Sequence, residues 1–532
     1  MLLNAFYYVG PVYLVLDLSS LRVFDYYSLS LFFDFFSLLY LFVLFSIVSS
    51  IHLFTYVYMG NDCNLFRFFS VLNIFVFSMI ILILFPNLIS LLLGWDGLGF
   101  SSFLLVAWFG CASSRFSSLK TFLVNRLGDG LFLISLYYFF VQGHFFLNTL
   151  DLIINLIFIV LIFSLFTKSA HFPFSSWLPD AMAAPTPVSA LVHSSTLVTA
   201  GLYLLFRFSY LISYEMMEVI QYLGFWTLFL GSLGACFDNN SKKIVAYSTL
   251  SQLGFMSLVL SLGCSNLCFF YMMAHALFKA LLFISVGCFL VVKFHNQDIR
   301  HLNNCWSLGP VISFSLFFSC FSLSGFPFFS GFYIKEIIVN SIYFNNFNNF
   351  LVWVFFLSLV FTVFYSFRLF GFISFKFQNN YGVFSSLNVI NLLVFFILYI
   401  SIIGLGVVLF NTLYIWVNFG SSLSVLLYSI LGVIISQYMI TYLEILNLLS
   451  FVNYFIYMFF LNILTVSFNR LYVVGNYLIQ IIDNGFFLFY FINKMNNIFQ
   501  INFSNIFFKS FFLNWLSLVG FSFLFIFLLF FF

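Results

Sequence analysis

The sequence predicts an all-α polytopic membrane protein, and three observations support this fold class. Of the 532 residues, 64% are hydrophobic and only 6% are charged, whereas average soluble chains carry about 25% charged residues. Apolar runs of roughly 20 residues, long enough to cross the hydrocarbon core as helices, recur along the whole chain. A membrane β-barrel would instead show short segments of alternating polarity. The net charge of +3 is too small to suggest a nucleic-acid partner.

These runs predict about 14 transmembrane helices. We expect a short N-terminal segment (1–26), a transmembrane core (27–445), a lateral amphipathic arm (446–509) and a C-terminal transmembrane anchor (510–532). A first, short apolar segment covers residues 2–17. The predicted crossings lie near residues 27–58, 67–93, 95–110, 119–141, 151–168, 185–208, 219–237, 243–263, 267–293, 307–328, 349–373, 386–410, 422–441 and 511–532.

The arm differs from the rest of the chain because its polar residues form a stripe. A helix from about 455 to 509 would be roughly 80 Å long at 1.5 Å per residue. That length exceeds any membrane thickness, so we expect the arm to lie along a surface or to be broken near Gly485. The residues that share one helical face are Asn462, Asn469, Asn476, Gln480 and Asp483.

Two predicted crossings contain helix breakers beside a lysine. In TKSAHFPFSSWLP (167–179), Lys168 precedes two prolines, and in SLSGFPFFSGFYIKE (322–336) two glycines and a proline precede Lys335. Unwound backbone at membrane depth persists only inside protein or against a water-filled cavity. Paired interrupted helices are typical of transporters built from inverted repeats. The sequence therefore predicts two inverted five-helix repeats, each with a broken helix, and an ion-translocating function.

Ionisable residues within the crossings are the candidate functional residues, because charge at membrane depth is costly and rare. Arg126 and Asp129 in NRLGD share one helical face, and so do His275 and Lys279 in HALFK. The full candidate set for moving protons is Asp96, Arg126, Asp129, Lys168, His193, His275, Lys279, Lys335 and Glu336.

Structural roles remain open for the acidic residues and for the first histidine of this set. Asp96 could cap a helix or form a structural ion pair. Arg126 and Asp129 could simply neutralise each other near a helix end. His193 could be a hydrogen-bonded core residue.

The lysines have their own alternative, which is extension of the side chain to the membrane interface. That could explain Lys279 or Lys335 alone, but hardly three lysines within crossings, two of them beside helix breaks. Lys242 and Lys243 close a loop and are expected to be solvated determinants of topology. Opening an ion pair at 4 Å changes the energy by about 4 kcal/mol at an effective dielectric constant of 20. That is most of the roughly 4.6 kcal/mol needed to bring a lysine pKa near 7, so a lysine relay is feasible.

Several motifs closely resemble the antiporter-like membrane subunits of respiratory complex I, a family related to the Mrp antiporters. The resemblance covers about residues 22–370 and is carried by GWDGLGFSSFLL, NRLGD, HALFKALLF and the highly specific PTPVSALVHSST. The lysine of GFYIKE, the DNNSKKIVAYSTLSQLG motif and the arm are similar to the distal subunit of the membrane arm rather than to sister chains 2 and 4. The resemblance implies a proton-translocating subunit of an NADH:ubiquinone reductase. A stand-alone Mrp-type cation/proton antiporter is the alternative.

The resemblance also implies roles for individual residues. Asp96 and Lys168 match the carboxylate–lysine pair of the first half-channel, and Lys335 matches the outlet lysine of the second half. The positions that match the central hydrophilic axis are His193, His275 and Lys279.

Four positions depart from the family pattern. Asp96 stands where the family has glutamate, so its carboxylate is one methylene shorter and its reach to Lys168 is reduced. Tyr271 stands in place of a histidine, and its phenol can hydrogen-bond but does not ionise near neutral pH. Glu336 replaces an aspartate, and His171 replaces a glutamine.

The redox chemistry of such a complex is expected to belong to partner subunits. The eight cysteines sit singly without a CxxC spacing, and GWDGLG lacks the strand and helix context of a nucleotide site. We therefore expect no cofactor in this chain, and NADH, FMN, iron–sulfur clusters and ubiquinone in other subunits.

The expected partners and location also follow from the resemblance. The expected neighbours are membrane lipids and the other membrane-arm subunits, especially chains 4 and 2, contacted by residues 446–509. The 89 phenylalanines suggest a thymine-rich organelle genome, so we expect a multi-pass protein of the mitochondrial inner membrane that is encoded in the organelle.

Overall fold

The computed structural model describes residues 12–16, 29–60, 62–141, 155–293, 295–302, 310–326, 329–344, 349–375 and 389–413. The chain divides into two compact units, Met1–Phe459 and Phe460–Phe532, and all described residues belong to the first unit. The predicted arm at 446–509, the anchor at 510–532 and the crossing near 422–441 lie outside the described residues.

The described part of the chain is built from long helices. Among the described residues, seven helices are long and apolar enough to cross a membrane, and shorter apolar helices accompany them. The all-α polytopic fold class predicted from composition is thereby confirmed. The helices are α1 (Phe35–Tyr58), α2 (Leu65–Leu84), α3 (Leu88–Val106), α4 (Ala112–Val141), α5 (Asn155–Lys168), α6 (Thr186–Phe208), α7 (Tyr214–Phe237), α8 (Ser241–Ser261), α9 (Ser265–Val292), α10 (Pro310–Ser324), α11 (Ser330–Phe344), α12 (Asn349–Phe375) and α13 (Val389–Leu413).

A short β-ribbon precedes the first helix. Strand β1 (Val12–Leu16) pairs antiparallel with β2 (Leu29–Phe33), with Val12 opposite Phe33. The crossing predicted from residue 27 therefore begins only at Phe35, and part of the apolar segment predicted at 2–17 is a strand. Both strands are rich in the β-branched, aromatic and aliphatic residues that suit a pleated surface.

The start of α1 is fixed by the side chain of Asp34. Its Oδ1 accepts a hydrogen bond from the Ser37 backbone N–H over 2.8 Å, while Ser37 Oγ accepts one from the Asp34 N–H over 2.9 Å. This capping box satisfies two amide groups that a helix start leaves free. Asp34 also forms a bidentate ion pair with Arg207 of α6, at 2.5 and 2.9 Å, which ties the start of α1 to the end of α6.

Both predicted helix interruptions are present. Helix α5 ends at Lys168, Ala170 follows with a φ of +54°, and short helical turns at Phe174–Ser176 and Trp177–Asp180 complete the break. Helix α10 ends at Ser324, before Gly325 with a φ of +78°.

Two helical features, one after each break, were not predicted. The 15-residue helix α11 follows the second break, whereas the crossing predicted from sequence ends near residue 328. Within α6, residues Ser189–Thr196 form a π-helical segment that contains His193. Such segments are rare and often occur at functional sites.

Candidate functional site

Lys168 lies at the C-terminal end of α5 and is completely buried. Its Nζ is 3.5 Å from Oδ1 of Asp129 on α4 and donates a hydrogen bond to the carbonyl of Trp95 on α3. The same Nζ lies 3.9 Å from the centroid of the Trp95 ring, a cation–π distance. The last residue of a helix is also where the helix dipole favours positive charge. These contacts stabilise an ammonium group that burial alone would disfavour.

Arg126 joins this lysine group to Asp96. Its Nη1 is 3.3 Å from Oδ2 of Asp129 and 3.6 Å from Oδ1 of Asp96, and its guanidinium lies 5.0 Å from the Phe122 ring. The two cations and two carboxylates of this group balance in formal charge. The arginine and Asp96 side chains are each 43% exposed in the isolated chain, so this end of the group faces outward from the buried end at Lys168.

The structure distributes the ion pairs differently from the resemblance. Among the described residues, Lys168 forms its ion pair with Asp129, and Asp96 forms its pair with Arg126. The spacing of α3, α4 and α5 places Asp129, rather than Asp96, within ion-pair distance of Lys168. Asp129, a secondary candidate from sequence, is thus the carboxylate next to the lysine.

Lys279, Lys335 and His275 form a second buried group around α9 and α11. Nζ of Lys279 donates to Oγ of Ser248 on α8, and Nζ of Lys335 donates to the carbonyl of Leu323. That carbonyl belongs to the last turn of α10, where backbone acceptors lack helical partners. Helix α9, which carries His275 and Lys279, packs against α11, which carries Lys335, so the helix that follows the second break lies next to the predicted central axis.

Three buried polar groups of the candidate set lack partners within the described structure. Neither ring nitrogen of His193 or His275 has a hydrogen bond there, and Oε1 of Glu336 has none. His193 meets the ring of Trp177 edge-to-face at 6.0 Å, and Trp177 Nε1 donates to the Thr167 carbonyl over 3.0 Å. Unpaired buried polar groups destabilise a fold.

His171, identified from sequence only as a departure from the family pattern, is buried and makes several contacts. Its Nδ1 is hydrogen-bonded to Ser169 Oγ at 2.8 Å, and its Nε2 lies 3.3 Å from the Leu253 carbonyl on α8. The ring stacks on Phe166 at 4.6 Å. His171 therefore links the break behind Lys168 to α8. The sequence signal that could have identified His171 as a site residue is its position inside the motif TKSAHFPFSSWLP.

Gln252 and Tyr365 are further buried polar residues that sequence reasoning missed. The Tyr271 hydroxyl donates to Oε1 of Gln252, as expected of a phenol that hydrogen-bonds without ionising. Nε2 of Gln252 in turn donates to the Tyr365 hydroxyl over 3.3 Å. A glutamine within an apolar crossing was the signal for this contact.

Lys242 does not lie in solvent, so the expectation for this lysine is wrong. Its side chain is only 4% exposed, and its Nζ donates to the Ala184 carbonyl over 3.1 Å. The carbonyl belongs to the segment that follows the first helix break, which covers the lysine. Lys242 lines a cavity of about 770 Å³ together with Lys243 and the ion pair of Lys120 with Asp180, whose charged atoms are 2.5 Å apart.

The family of the chain is decided by its sequence relatives. Residues 86–362 match the family model described as "NADH:quinone oxidoreductase/Mrp antiporter, TM". NADH-ubiquinone oxidoreductase chain 5 of Locusta migratoria is 38% identical over 486 residues, which is 84% of each chain. The chain belongs to the NADH-ubiquinone oxidoreductase chain 5 family. Chain 5 of Aedes aegypti is 45% identical over 324 residues, 59% of this chain and 55% of the relative.

Membership of the chain 5 family confirms the functional prediction from sequence. The chain is an antiporter-like, proton-pumping membrane subunit of an H⁺-translocating NADH:ubiquinone reductase, and it assembles with other membrane-arm subunits of complex I. It is a multi-pass membrane protein.

Solved structures support the fold at lower identity. The chain is similar to a subunit of an archaeal membrane-bound sulfane sulfur reductase, with a TM-score of 0.69 and 21% identity over 80% of this chain and 89% of that one. It is also similar to a chain of the Mrp complex from a Dietzia species, with a TM-score of 0.71 and 20% identity over 98% of this chain and 59% of that one. These likenesses show a shared fold.

Proposed function

We propose that two buried lysine groups, around Lys168 and around Lys279 with Lys335, carry the protons that this chain 5 subunit moves. The observation that carries the proposal is the complete burial of Lys168 against a carboxylate on a neighbouring helix. An ammonium in the membrane interior is expensive and is retained mainly for function. Asp129 is the group that would hold it charged.

The first group would work by opening and closing its ion pair. With Asp129 at 3.5 Å, the charged form of Lys168 is favoured, because two opposite charges about 4 Å apart attract by about 4 kcal/mol at an effective dielectric constant of 20. Movement of Asp129 towards Arg126 would leave the amine buried without its counter-charge. Burial then favours the neutral amine, and the proton leaves.

The second group would receive and release protons in the same way, although the described residues provide no carboxylate contact to its lysines. Lys335 and Lys279 bear like charges that disfavour simultaneous protonation, and the unpartnered ring of His275 is one turn from Lys279 on α9. One proton on Lys279 would therefore promote release from Lys335. The carbonyl of Leu323 at the helix break gives Lys335 its fixed position.

A second part of the proposal concerns the neighbours, the cofactors and the genetic origin of the subunit. We infer that residues 446–509 run along chains 4 and 2, that redox cofactors reside in partner subunits, and that the chain is encoded in the organelle. The 89 phenylalanines and the animal origin of the relatives support a mitochondrial inner-membrane protein.

Replacement of the two break lysines tests the proposal. In the assembled complex in sealed vesicles, Lys168→Ala and Lys335→Ala should each lower the number of protons pumped per NADH oxidised. Lys293→Ala, a partly exposed lysine at the end of α9, should leave this ratio unchanged. Full pumping stoichiometry in both break variants would refute the assignment.

The Mrp-type alternative rests on the fold shared with the Mrp complex. A stand-alone antiporter would exchange sodium for protons as a purified chain in vesicles. A complex I subunit should show no sodium-dependent exchange by itself and should pump only when NADH is oxidised by the assembled complex.

A further inference from the structure

A chain of neutral, buried side chains lies beside the second lysine group. The Tyr271 hydroxyl donates to Oε1 of Gln252, and Nε2 of Gln252 donates to the Tyr365 hydroxyl over 3.3 Å. The Tyr365 hydroxyl is 3.4 Å from Oγ of Ser251, which itself donates to the Ser248 carbonyl over 2.9 Å. These contacts join α9, α8 and α12 in the interior.

This chain begins one helical turn away from groups that are proposed to carry protons. Tyr271 is one helical turn before His275 on α9, and His275 is one turn before Lys279. Lys279 also donates to the hydroxyl of Ser248 on α8, one turn before Gln252. These one-turn spacings place the hydrogen-bonded chain next to the proton-carrying group, although the described structure shows no hydrogen bond between the two.

From α12 the route continues to the loop between α7 and α8. Arg368 is three residues after Tyr365, so the two side chains are neighbours along the helix. Nη1 of Arg368 donates to the Asp238 carbonyl, and its Nη2 donates to Oδ1 of Asn239, both over 2.8 Å. An open route along these residues would connect the proton-carrying group directly to a loop outside the crossings.

Gln252 is the point at which this route cannot pass a proton. A hydroxyl or an imidazole accepts a proton at one site and releases another, whereas an amide has only donor hydrogens on nitrogen and acceptor lone pairs on oxygen. Relay through it would require the unfavourable imidic acid form. The last acceptor, the Ser248 carbonyl, cannot donate at all. Beyond Tyr365 on α12, the guanidinium of Arg368 stays charged and repels a proton, as arginine does in selective pores.

We propose that Gln252 is a positioning residue that makes this side route proton-tight. Its amide holds the hydroxyls of Tyr271 and Tyr365 in fixed hydrogen bonds, and Arg368 forms a second barrier. Protons are thereby confined to the lysine and histidine groups, and the gradient built by the complex does not discharge through α12. This inference rests on the proposed relay, but it is tested without turnover.

The test measures the passive leak of protons into sealed vesicles that contain the assembled complex, under an imposed pH gradient and without NADH. Gln252→Glu and Gln252→His each place a group there that accepts and releases protons. Both should raise the leak severalfold, and more in an Arg368→Met background. Gln252→Met keeps the size without a relay group and should leak like the wild type. Gln221→Glu, the same change on α7 away from this route, is the matched control.

A second substitution shows whether the leak follows the proposed route. Adding Tyr365→Phe to Gln252→Glu removes the next hydroxyl and should return the leak to the wild-type value. The proposal is overturned if neither relay variant leaks in either Arg368 background, or if Tyr365→Phe leaves the leak unchanged. Either relay variant suffices if the other does not assemble. Pumping by the lysine variants is a separate measurement, so failure of the relay and failure of the barrier are distinguishable.

Discussion

The environment of Lys168 shows what a sequence can and cannot predict for a single residue. Its burial and its place beside a helix break follow from the apolar run before it and the prolines after it. Its partner does not follow, because the reach of a carboxylate depends on the spacing of α3, α4 and α5. That spacing places Asp129 at 3.5 Å and leaves Asp96 with Arg126. The burial of Lys242 could not be predicted for a similar reason, since the sequence of a loop does not show which other segment packs against it.

Asp129→Asn tests the pairing directly. The change removes the counter-charge of a completely buried lysine, and breaking a buried pair from one side typically costs about 3–5 kcal/mol. We expect less assembled complex and fewer protons pumped per NADH. Asp298→Asn is the control, because its partner Arg300 is 60% exposed and exposed pairs contribute about 0–1 kcal/mol. Wild-type pumping by Asp129→Asn would contradict the pairing.

Cys111, in the loop between α3 and α4, offers a test of local electrostatics outside the crossings. Hydrogen bonds with Ser113 and Ser114 lower the pKa of this exposed thiol from 9.0 to about 7. Because the thiolate is the reactive form, alkylation should accelerate as the pH rises through about 7. Replacing both serines by alanine should move the midpoint upward. A midpoint near 9 in the unaltered chain would contradict these contacts.

At the scale of elements, the interrupted helices were predictable and their detailed form was not. Prolines and glycines next to lysine mark where α5 and α10 must end, and the structure ends them at Lys168 and Ser324. The π-helical segment with His193 could not be predicted, because it contains no proline or glycine. The β-ribbon was not predicted, because a short apolar run can form either a strand or part of a helix and periodicity does not distinguish the two.

Close packing of α4 against α5 is what sets the lysine beside its carboxylate. A Cβ added at Gly128 would lie 1.9 Å from Oγ1 of Thr167 and 3.2 Å from the Ser164 carbonyl. Small residues allow such close approach between helices in membranes. Since Gly128 precedes Asp129 and Thr167 precedes Lys168, the contact fixes the distance within the ion pair.

Gly128→Ala should therefore push α4 away from α5 and weaken pumping, although it changes no charge. Gly130→Ala is the matched control, because a Cβ there meets no atom within 4 Å. Protons pumped per NADH should fall in the first variant and not in the second. Equal ratios in the two variants would show that this contact does not set the ion pair.

At the scale of the whole molecule, composition was enough to predict a polytopic helical protein, and motifs were enough to predict the family. A relative that is 38% identical over 84% of the chain then showed that the chain belongs to this family. The buried polar contacts near the two lysine groups could not be predicted in full. His171 lies in the first helix break, Gln252 on α8 and Tyr365 on α12, and only the fold brings these elements into contact.

The central claim is that Lys168 and Lys335 lose and regain protons rather than merely bearing charge. The most direct measurement is the number of protons pumped per NADH by complexes carrying Lys168→Arg or Lys335→Arg. Arginine keeps the positive charge but does not deprotonate in proteins. The relay predicts that both variants pump fewer protons, as the alanine variants do. Full pumping with arginine at both positions would show that fixed charge suffices and would contradict the relay.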